Sequence, residues 1–188
     1  MRKRIGLAWL LAGAMACTAL GAEAAQTLPG QFYLTKNPQY WQYTIDAAGF
    51  ALEVPAKGEA YVQHDLLGGQ WLKISLGVSA PVYGVYAGKA ADAKALSAQR
   101  DAIVGSWQRL LSNTKVSNDT QITTSNQITA DFYEVHGKIA DGKTAIIKWV
   151  AFRKGGEWVA LTFAGTSDDY HGDVRAYWLQ MVNTFRWK

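Results

Sequence analysis

The chain has 188 residues, of which 49% are hydrophobic and 18% charged, and a formal net charge of +4 at pH 7. This length suits one domain with a full apolar core and is too short for two. Removal of residues 1–24 would lower the net charge to +2, because that segment carries three basic residues and one acidic residue. A charge this small predicts neither a nucleic-acid-binding surface nor an anionic-membrane-binding surface.

The first 24 residues have the pattern of an export signal. Basic residues at positions 2–4 precede an uncharged apolar run over residues 5–20, and the small residues Ala22 and Ala24 mark a cleavage site. The run is too short and too rich in alanine for a transmembrane span. We therefore expect a signal peptide over residues 1–24, cleavage near Ala24, and a periplasmic or secreted protein with no transmembrane segment after processing.

Cys17 is the only cysteine, and it lies inside the predicted signal. Cleavage near Ala24 would leave no thiol for a disulfide, a nucleophile or a metal site. Lipid anchoring at Cys17 is the alternative. It is disfavoured because Ala14 stands where lipoprotein signals carry a large aliphatic residue.

Strands dominate the first half of the predicted domain, which spans residues 39–188. Residues 25–38, which precede it, mix polar residues with proline and glycine and predict a tether or an irregular arm laid on the domain. Alternating apolar and polar residues predict a hairpin of strands at 41–45 and 50–55. Further strands are predicted at 61–64 and 71–78, and residues 81–86 either extend the last of these or cross towards the first helix.

The second half alternates between helical and strand patterns. An apolar stripe through Leu96, Ile103 and Trp107 predicts a helix over residues 90–112, with Asp92 as its cap. Residues 117–127 are polar, with only a weak strand signal at 121–124. A three-strand meander follows, and a second amphipathic helix is predicted over residues 167–185. The meander strands are predicted at 132–139, 144–152 and 158–163.

The densest polar cluster consists of Asp168, Asp169, His171 and Asp173. Carboxylates and an imidazole this close together are one pattern of a divalent-metal or acid–base site. Acidic residues also stabilise a helix N-terminus by opposing the positive end of the helix dipole, which is the simpler interpretation. The sequence has no GxSxG or HExxH motif. We therefore predict no catalytic residue, no metal site and no cofactor.

Aromatic residues near predicted loops and at the entry to the domain are the candidate binding residues. Trp41 lies at that entry, and Tyr83 and Tyr86 lie near a predicted crossing. Exposed tyrosine and tryptophan bring large contact area at low entropic cost, which suits a protein, peptide or glycan surface.

Four segments in order resemble the PsbP/DcrB-like group, which also includes the yeast Ran-binding Mog protein. They are the opening strand at 49–55, the helix around 96–111, the meander at 132–163 and the closing helix that runs into 181–185. The resemblance implies an α+β domain with a central antiparallel sheet flanked by helices, in the order strands, helix, strands, helix. It also implies an accessory or scaffold role, because members of this group dock on other proteins.

These observations favour an exported, non-enzymatic accessory or protein-binding module of the bacterial cell envelope. Its expected partner is another envelope or secreted protein and not nucleic acid, and the sequence leaves the oligomeric state open. Two alternatives remain. One is a carrier of a small apolar or glycan ligand in a groove between sheet and helix, and the other is a metal-dependent enzyme built on the Asp168–Asp173 cluster.

Overall fold

The structure, a computed structural model, describes residues 30–64, 70–77 and 81–188. The predicted signal peptide, with Cys17 and the cleavage site near Ala24, lies outside the described residues. Within them the chain forms eleven strands and two α-helices. These are β1 (Gln31–Leu34), β2 (Tyr40–Ile45), β3 (Phe50–Pro55), β4 (Glu59–His64), β5 (Gln70–Ser75), β6 (Val82–Lys89), α1 (Ala93–Gln108), β7 (Ser112–Thr123), β8 (Thr129–Lys138), β9 (Thr144–Lys154), β10 (Glu157–Thr166), α2 (Gly172–Thr184) and β11 (Arg186–Trp187).

The strands form two antiparallel sheets. The smaller has the order β1-β2-β3-β11, and the larger has the order β4-β5-β6-β10-β9-β8-β7. The sequence predicts one central sheet flanked by helices, with a helix as the last element. The structure instead has two sheets, and the short strand β11 follows the second helix. The α+β class with antiparallel pairing is confirmed. No helix among the described residues is long and apolar enough to cross a membrane.

Strand β10 lies at the centre of the larger sheet and is covered on both faces. Side chains alternate along it, so Leu161 and Phe163 face one apolar core while Trp158 and Ala160 face a second. The first core also contains side chains of the smaller sheet and of α2. The second core contains side chains of α1. A strand buried on both sides reads as a nearly continuous apolar run, as its sequence does.

Helix α1 covers one face of the larger sheet. The Asp92 carboxylate accepts a hydrogen bond of 2.8 Å from the backbone N–H of Ala95, so the predicted cap is confirmed. Leu96, Ile103 and Trp107 are buried on the predicted stripe. The helix ends at Gln108, four residues earlier than predicted.

The smaller sheet and α2 pack on the opposite face. Glu53 on β3 connects them, because its backbone N–H donates to the Thr184 hydroxyl at 2.9 Å and its carboxylate accepts from the Gln180 amide at 2.6 Å. Tyr177 of α2 meets Tyr40 of β2 edge to face, at 5.7 Å between ring centroids. These contacts fix α2 against β2 and β3, and its buried side chains share the first core with theirs.

Helix α2 begins at Gly172, five residues later than predicted, and three other segments form elements that differ from their predictions. Residues 31–34 form strand β1, although residues 25–38 were expected to form a tether or an irregular arm, and residues 25–29 lie outside the described part. Residues 82–89 are a separate strand, β6, rather than an extension of β5. Residues 112–123 form the twelve-residue strand β7, far longer than the weak signal at 121–124.

Candidate functional site

Strand β1 lies at the edge of the smaller sheet and has one neighbour among the described strands, β2. All four of its residues pair with β2 in regular antiparallel register, from Gln31 opposite Thr44 to Leu34 opposite Trp41. The Thr35 hydroxyl fixes the following turn by donating to the carbonyls of Asn37 and Tyr40, at 2.6 and 2.9 Å. The pairing with β2 and these two hydrogen bonds therefore fix the backbone of β1 and of the turn that follows it.

Three large apolar side chains are exposed on β1 and β2. Tyr33 is 47% exposed, Leu34 is 90% exposed and Trp41 is 39% exposed. We call these three residues the β1 surface. Trp41 is held in place by the ring of Phe32, at 5.6 Å between centroids and with the ring planes at 70°. The surface thus combines an ordered indole with an almost fully exposed leucine.

The β1 surface contains one of the three aromatic residues expected to bind. Tyr83 and Tyr86 are 0% and 3% exposed, so the expectation that they form an exposed surface is wrong. They point to opposite faces of β6, and both faces are covered. The Tyr83 hydroxyl donates to the Val174 carbonyl at 2.9 Å, and burial raises its pKa. Tyr86 packs beside Trp149 at 5.8 Å between centroids.

The polar cluster before α2 does not converge on one point. The Asp169 carboxylate accepts hydrogen bonds from the hydroxyl and N–H of Thr166, at 2.5 and 3.2 Å. Asp173 lies in the first turn of α2, and His171 precedes that helix without a capping hydrogen bond from its side chain. No group of three His, Cys, Asp or Glu side chains in the described part of the chain is arranged to hold a metal ion. The hydrogen bonds of Asp169 and the position of Asp173 instead tie these residues to the end of β10 and the start of α2.

A buried charge cluster lies instead between β8 and β9. Glu134 and Lys148 are register partners on these strands, and both are buried. The Lys148 ammonium donates to the Glu134 carboxylate and lies 4.5 Å from the centroid of the Tyr170 ring. Glu134 also accepts from the Ser117 hydroxyl at 3.0 Å, and the His136 ring nitrogen lies 2.6 Å from the same oxygen.

The electrostatics of this cluster keep Glu134 ionised. Burial opposes its charge, but the hydrogen bonds from Lys148, His136 and Ser117 outweigh burial, so the pKa of Glu134 is lowered. A general base needs a pKa near the working pH. The carboxylate lies between Ser117 and His136, so it does not orient the imidazole to activate the hydroxyl. This arrangement stabilises charge and does not prepare a nucleophile.

A groove of about 220 Å³, lined by both polar and apolar side chains, lies between α1 and strands β7 and β8. Arg100 spans it, with its guanidinium 4.0 Å from the centroid of the Tyr133 ring and 3.2 Å from the Asp119 carboxylate. Tyr133 and Trp149 line the groove but are buried, so neither ring presents an open face.

No protein-family profile matches the sequence, and no curated protein matches it. Solved structures do match. The solution structure of cyanobacterial PsbP (CyanoP) from Synechocystis sp. PCC 6803 is similar over 92% of this chain and 99% of that chain, with a TM-score of 0.55 and 9% identity. The PsbP-like fold implied by the sequence resemblance is thereby confirmed.

Two further structures match with lower scores. LpqN, involved in cell envelope biogenesis of Mycobacterium tuberculosis, matches over 84% of each chain with a TM-score of 0.39 and 13% identity. A protein of unknown function from Pseudomonas aeruginosa matches over 70% of this chain and 86% of that chain, with a TM-score of 0.38 and 12% identity. At these scores the two similarities carry no argument about this chain.

Proposed function

We propose that this chain, which has a PsbP-like fold, is an exported, non-enzymatic protein-binding module of the bacterial cell envelope. The observation that carries the proposal is the β1 surface. Exposed single apolar residues are ordinary, but here an indole, a phenol ring and a leucine adjoin one sheet edge. Aromatic side chains held in place are the usual anchors of protein interfaces.

The charge cluster supports the non-enzymatic part of the proposal. Glu134 is the most deeply buried carboxylate described, and its oxygens are occupied by Lys148, Ser117 and His136. Such a network stabilises a fold when every member is satisfied. The export part of the proposal rests on the signal pattern of residues 1–24.

The test is site-specific photocrosslinking in the bacterium that makes the protein. A photoreactive phenylalanine analogue at position 34 should give one dominant crosslinked protein. The control places the analogue at Lys94, an exposed residue of α1 on the far side of the larger sheet, and should give none. Trp41→Ala should weaken the crosslink from position 34. Equal crosslinking from both positions, or none from either, contradicts a binding role for the β1 surface.

Export is tested separately on the secreted or periplasmic fraction. The intact mass there should correspond to a chain that lacks residues 1–24. A full-length chain confined to the cytoplasm contradicts the proposed location.

A second candidate function is favoured by the groove beside α1. Its lining combines apolar side chains with polar ones, among them Ser97, Arg100 and Asp119, so it suits a small ligand that carries both polar and apolar surface, such as a glycan. Native mass spectrometry of protein purified from its own bacterium would then show a bound small molecule. Ser97→Trp, which fills the groove, should abolish that adduct, and Lys94→Trp should leave it unchanged. An adduct that persists in Ser97→Trp contradicts this function.

A further inference from the structure

The backbone groups of β1 that point away from the sheet can be identified from the pairing of β2 with β3. The N–H of Ala56 donates to the carbonyl of Gln39 at 2.9 Å, so these two residues form a hydrogen-bonded pair just beyond the strands. In an antiparallel ladder the hydrogen-bonded pairs alternate along the strand. Trp41 and Tyr43 therefore bond to β3, and the intervening residue Gln42 bonds towards β1.

The register between β1 and β2 shows which residues of β1 follow the same alternation. Gln42 lies opposite Tyr33 and Thr44 lies opposite Gln31. The backbone N–H and C=O groups of Gln31 and Tyr33 therefore form hydrogen bonds with β2. The N–H and C=O groups of Phe32 and Leu34 consequently point outward. No described strand pairs with that edge. Leu34 thus combines an outward N–H with an exposed side chain.

The edge of the larger sheet that β7 forms is protected against the addition of another strand. Strand β7 is longer, but its pairing with β8 has two register shifts, between Ser112 and Lys115 and between Val116 and Asn118. Bulges and charged side chains on an edge strand disfavour pairing with another chain. Strand β1 has neither feature within its four residues.

We propose that β1 binds an extended, apolar segment of the partner protein as an additional strand. This inference rests on the proposed protein-binding function and specifies how the partner binds. The segment would pair its backbone with Phe32 and Leu34. Leu34 and Tyr33 point to opposite faces of the strand, and both are exposed. The segment therefore carries uncharged apolar side chains at consecutive positions, one on each face. Main-chain pairing supplies affinity, and the two side-chain contacts supply specificity.

Proline at position 34 tests the backbone contribution. Leu34→Pro removes the outward N–H without removing a bond to β2, and proline is tolerated on edge strands for this reason. Leu34→Ala is the matched control, because it shortens the same exposed side chain and keeps the N–H. Both changes affect a side chain that is 90% exposed, so both variants should fold.

The probe is a phage-displayed library of linear peptides, selected on the full chain as purified. Selection should enrich uncharged segments with consecutive apolar residues. A synthetic peptide of the selected sequence should bind Leu34→Pro about tenfold more weakly than Leu34→Ala, which is the effect expected of one lost hydrogen bond. In hydrogen exchange the peptide should slow the amide of Leu34, whereas the amide of Tyr33 is already protected by β2.

Three outcomes would overturn the inference. They are a selection with no enriched apolar segment, equal affinity of the peptide for the proline and alanine variants, and a dimer in sedimentation that Leu34→Pro dissociates. The last would show that a second copy covers the edge. If the two variants bind equally while crosslinking from position 34 persists, strand addition fails and the protein-binding function stands. If crosslinking fails while peptide binding follows the predicted order, the function fails and the edge geometry stands.

Discussion

The rings of Phe152 and Phe185 stack with their centroids 3.8 Å apart and their planes 10° from parallel. Phe152 lies on β9 of the larger sheet, and Phe185 directly follows α2. Phe185 also contacts Phe50 of the smaller sheet, at 5.9 Å between centroids. One side chain therefore connects both sheets at the end of the second helix.

We expect Phe185→Ala to lower the free energy of unfolding by about 3–5 kcal/mol, because it opens a cavity at a fully buried junction. Chemical denaturation measures this loss. Leu179→Ala on the same helix is the control. Its side chain is exposed, so the change should stay within about 0.5 kcal/mol. Similar losses for the two variants would contradict a connecting role for Phe185.

The sequence predicted the elements whose apolar residues face a core. The stripe of α1 and the meander alternation survive in the structure, because burial imposes a period on the sequence. Most of strand β7 escaped prediction, apart from the weak signal at its end, because it is an exposed edge with few apolar residues. Strand β11 has two residues and pairs with Ala51 and Phe50, far away in the chain, so no local pattern marks it.

The charge cluster left a signal that could have been used. Glu134 precedes Asp141 by seven residues and Lys148 follows it by seven, and Asp141 lies between the strands predicted at 132–139 and 144–152. Opposite charges placed symmetrically about a hairpin turn become cross-strand partners. Burial of Tyr83 and Tyr86 was also indicated, by the uninterrupted apolar run around them. Trp41 was predicted as a binding residue from its place at the entry to the domain, but its grouping with Leu34 could not be predicted, because that depends on which strand occupies the sheet edge.

Glu134→Gln should lower the free energy of unfolding by about 3 kcal/mol at pH 7, because it leaves the Lys148 ammonium buried without its counter-charge. The pKa of Glu134 is lowered in the folded protein, so its stabilisation is present above the unfolded value of about 4.5 and is lost as the pH falls through the folded pKa. The difference between wild type and variant should therefore shrink in acid.

Urea titrations between pH 3 and pH 7 measure both the loss of unfolding free energy at pH 7 and its decrease in acid. Asp119→Asn is the control, since this carboxylate is exposed and its ion pair should contribute less than about 1 kcal/mol. A gap between wild type and Glu134→Gln that stays constant down to pH 3 would rule out stabilisation by the ionised carboxylate.

Gly88→Ala should destabilise the fold by about 1–3 kcal/mol through overpacking. A Cβ at this position would lie 2.7 Å from Cζ2 of Trp158, and the buried indole cannot move aside without disturbing α1's core. Gly156→Ala is the matched control, because its Cβ would meet nothing closer than the Ala90 carbonyl oxygen at 3.8 Å. Thermal unfolding of both variants measures the difference in stability, and equal melting temperatures would contradict overpacking at position 88.

Lys73 should make the stability of the fold depend on alkaline pH. It is buried on β5, and burial lowers its pKa from 10.5 to about 8. Below pH 8 the folded and unfolded states both carry the proton, so the full cost of burying the charge is present. Between pH 8 and 10.5 the unfolded state binds more protons than the folded state, and stability rises with pH.

We therefore expect wild type to gain roughly 3 kcal/mol relative to Lys73→Met as the pH increases across this range. Comparison with Lys73→Met cancels the titration of every other group that the substitution leaves unchanged. Lys94→Met removes an exposed lysine from α1 and should follow wild type throughout. Urea unfolding at closely spaced pH values measures the three curves. Parallel curves for wild type and Lys73→Met would show that the folded protein does not lower the pKa of Lys73, whereas divergence above pH 8 follows directly from its burial.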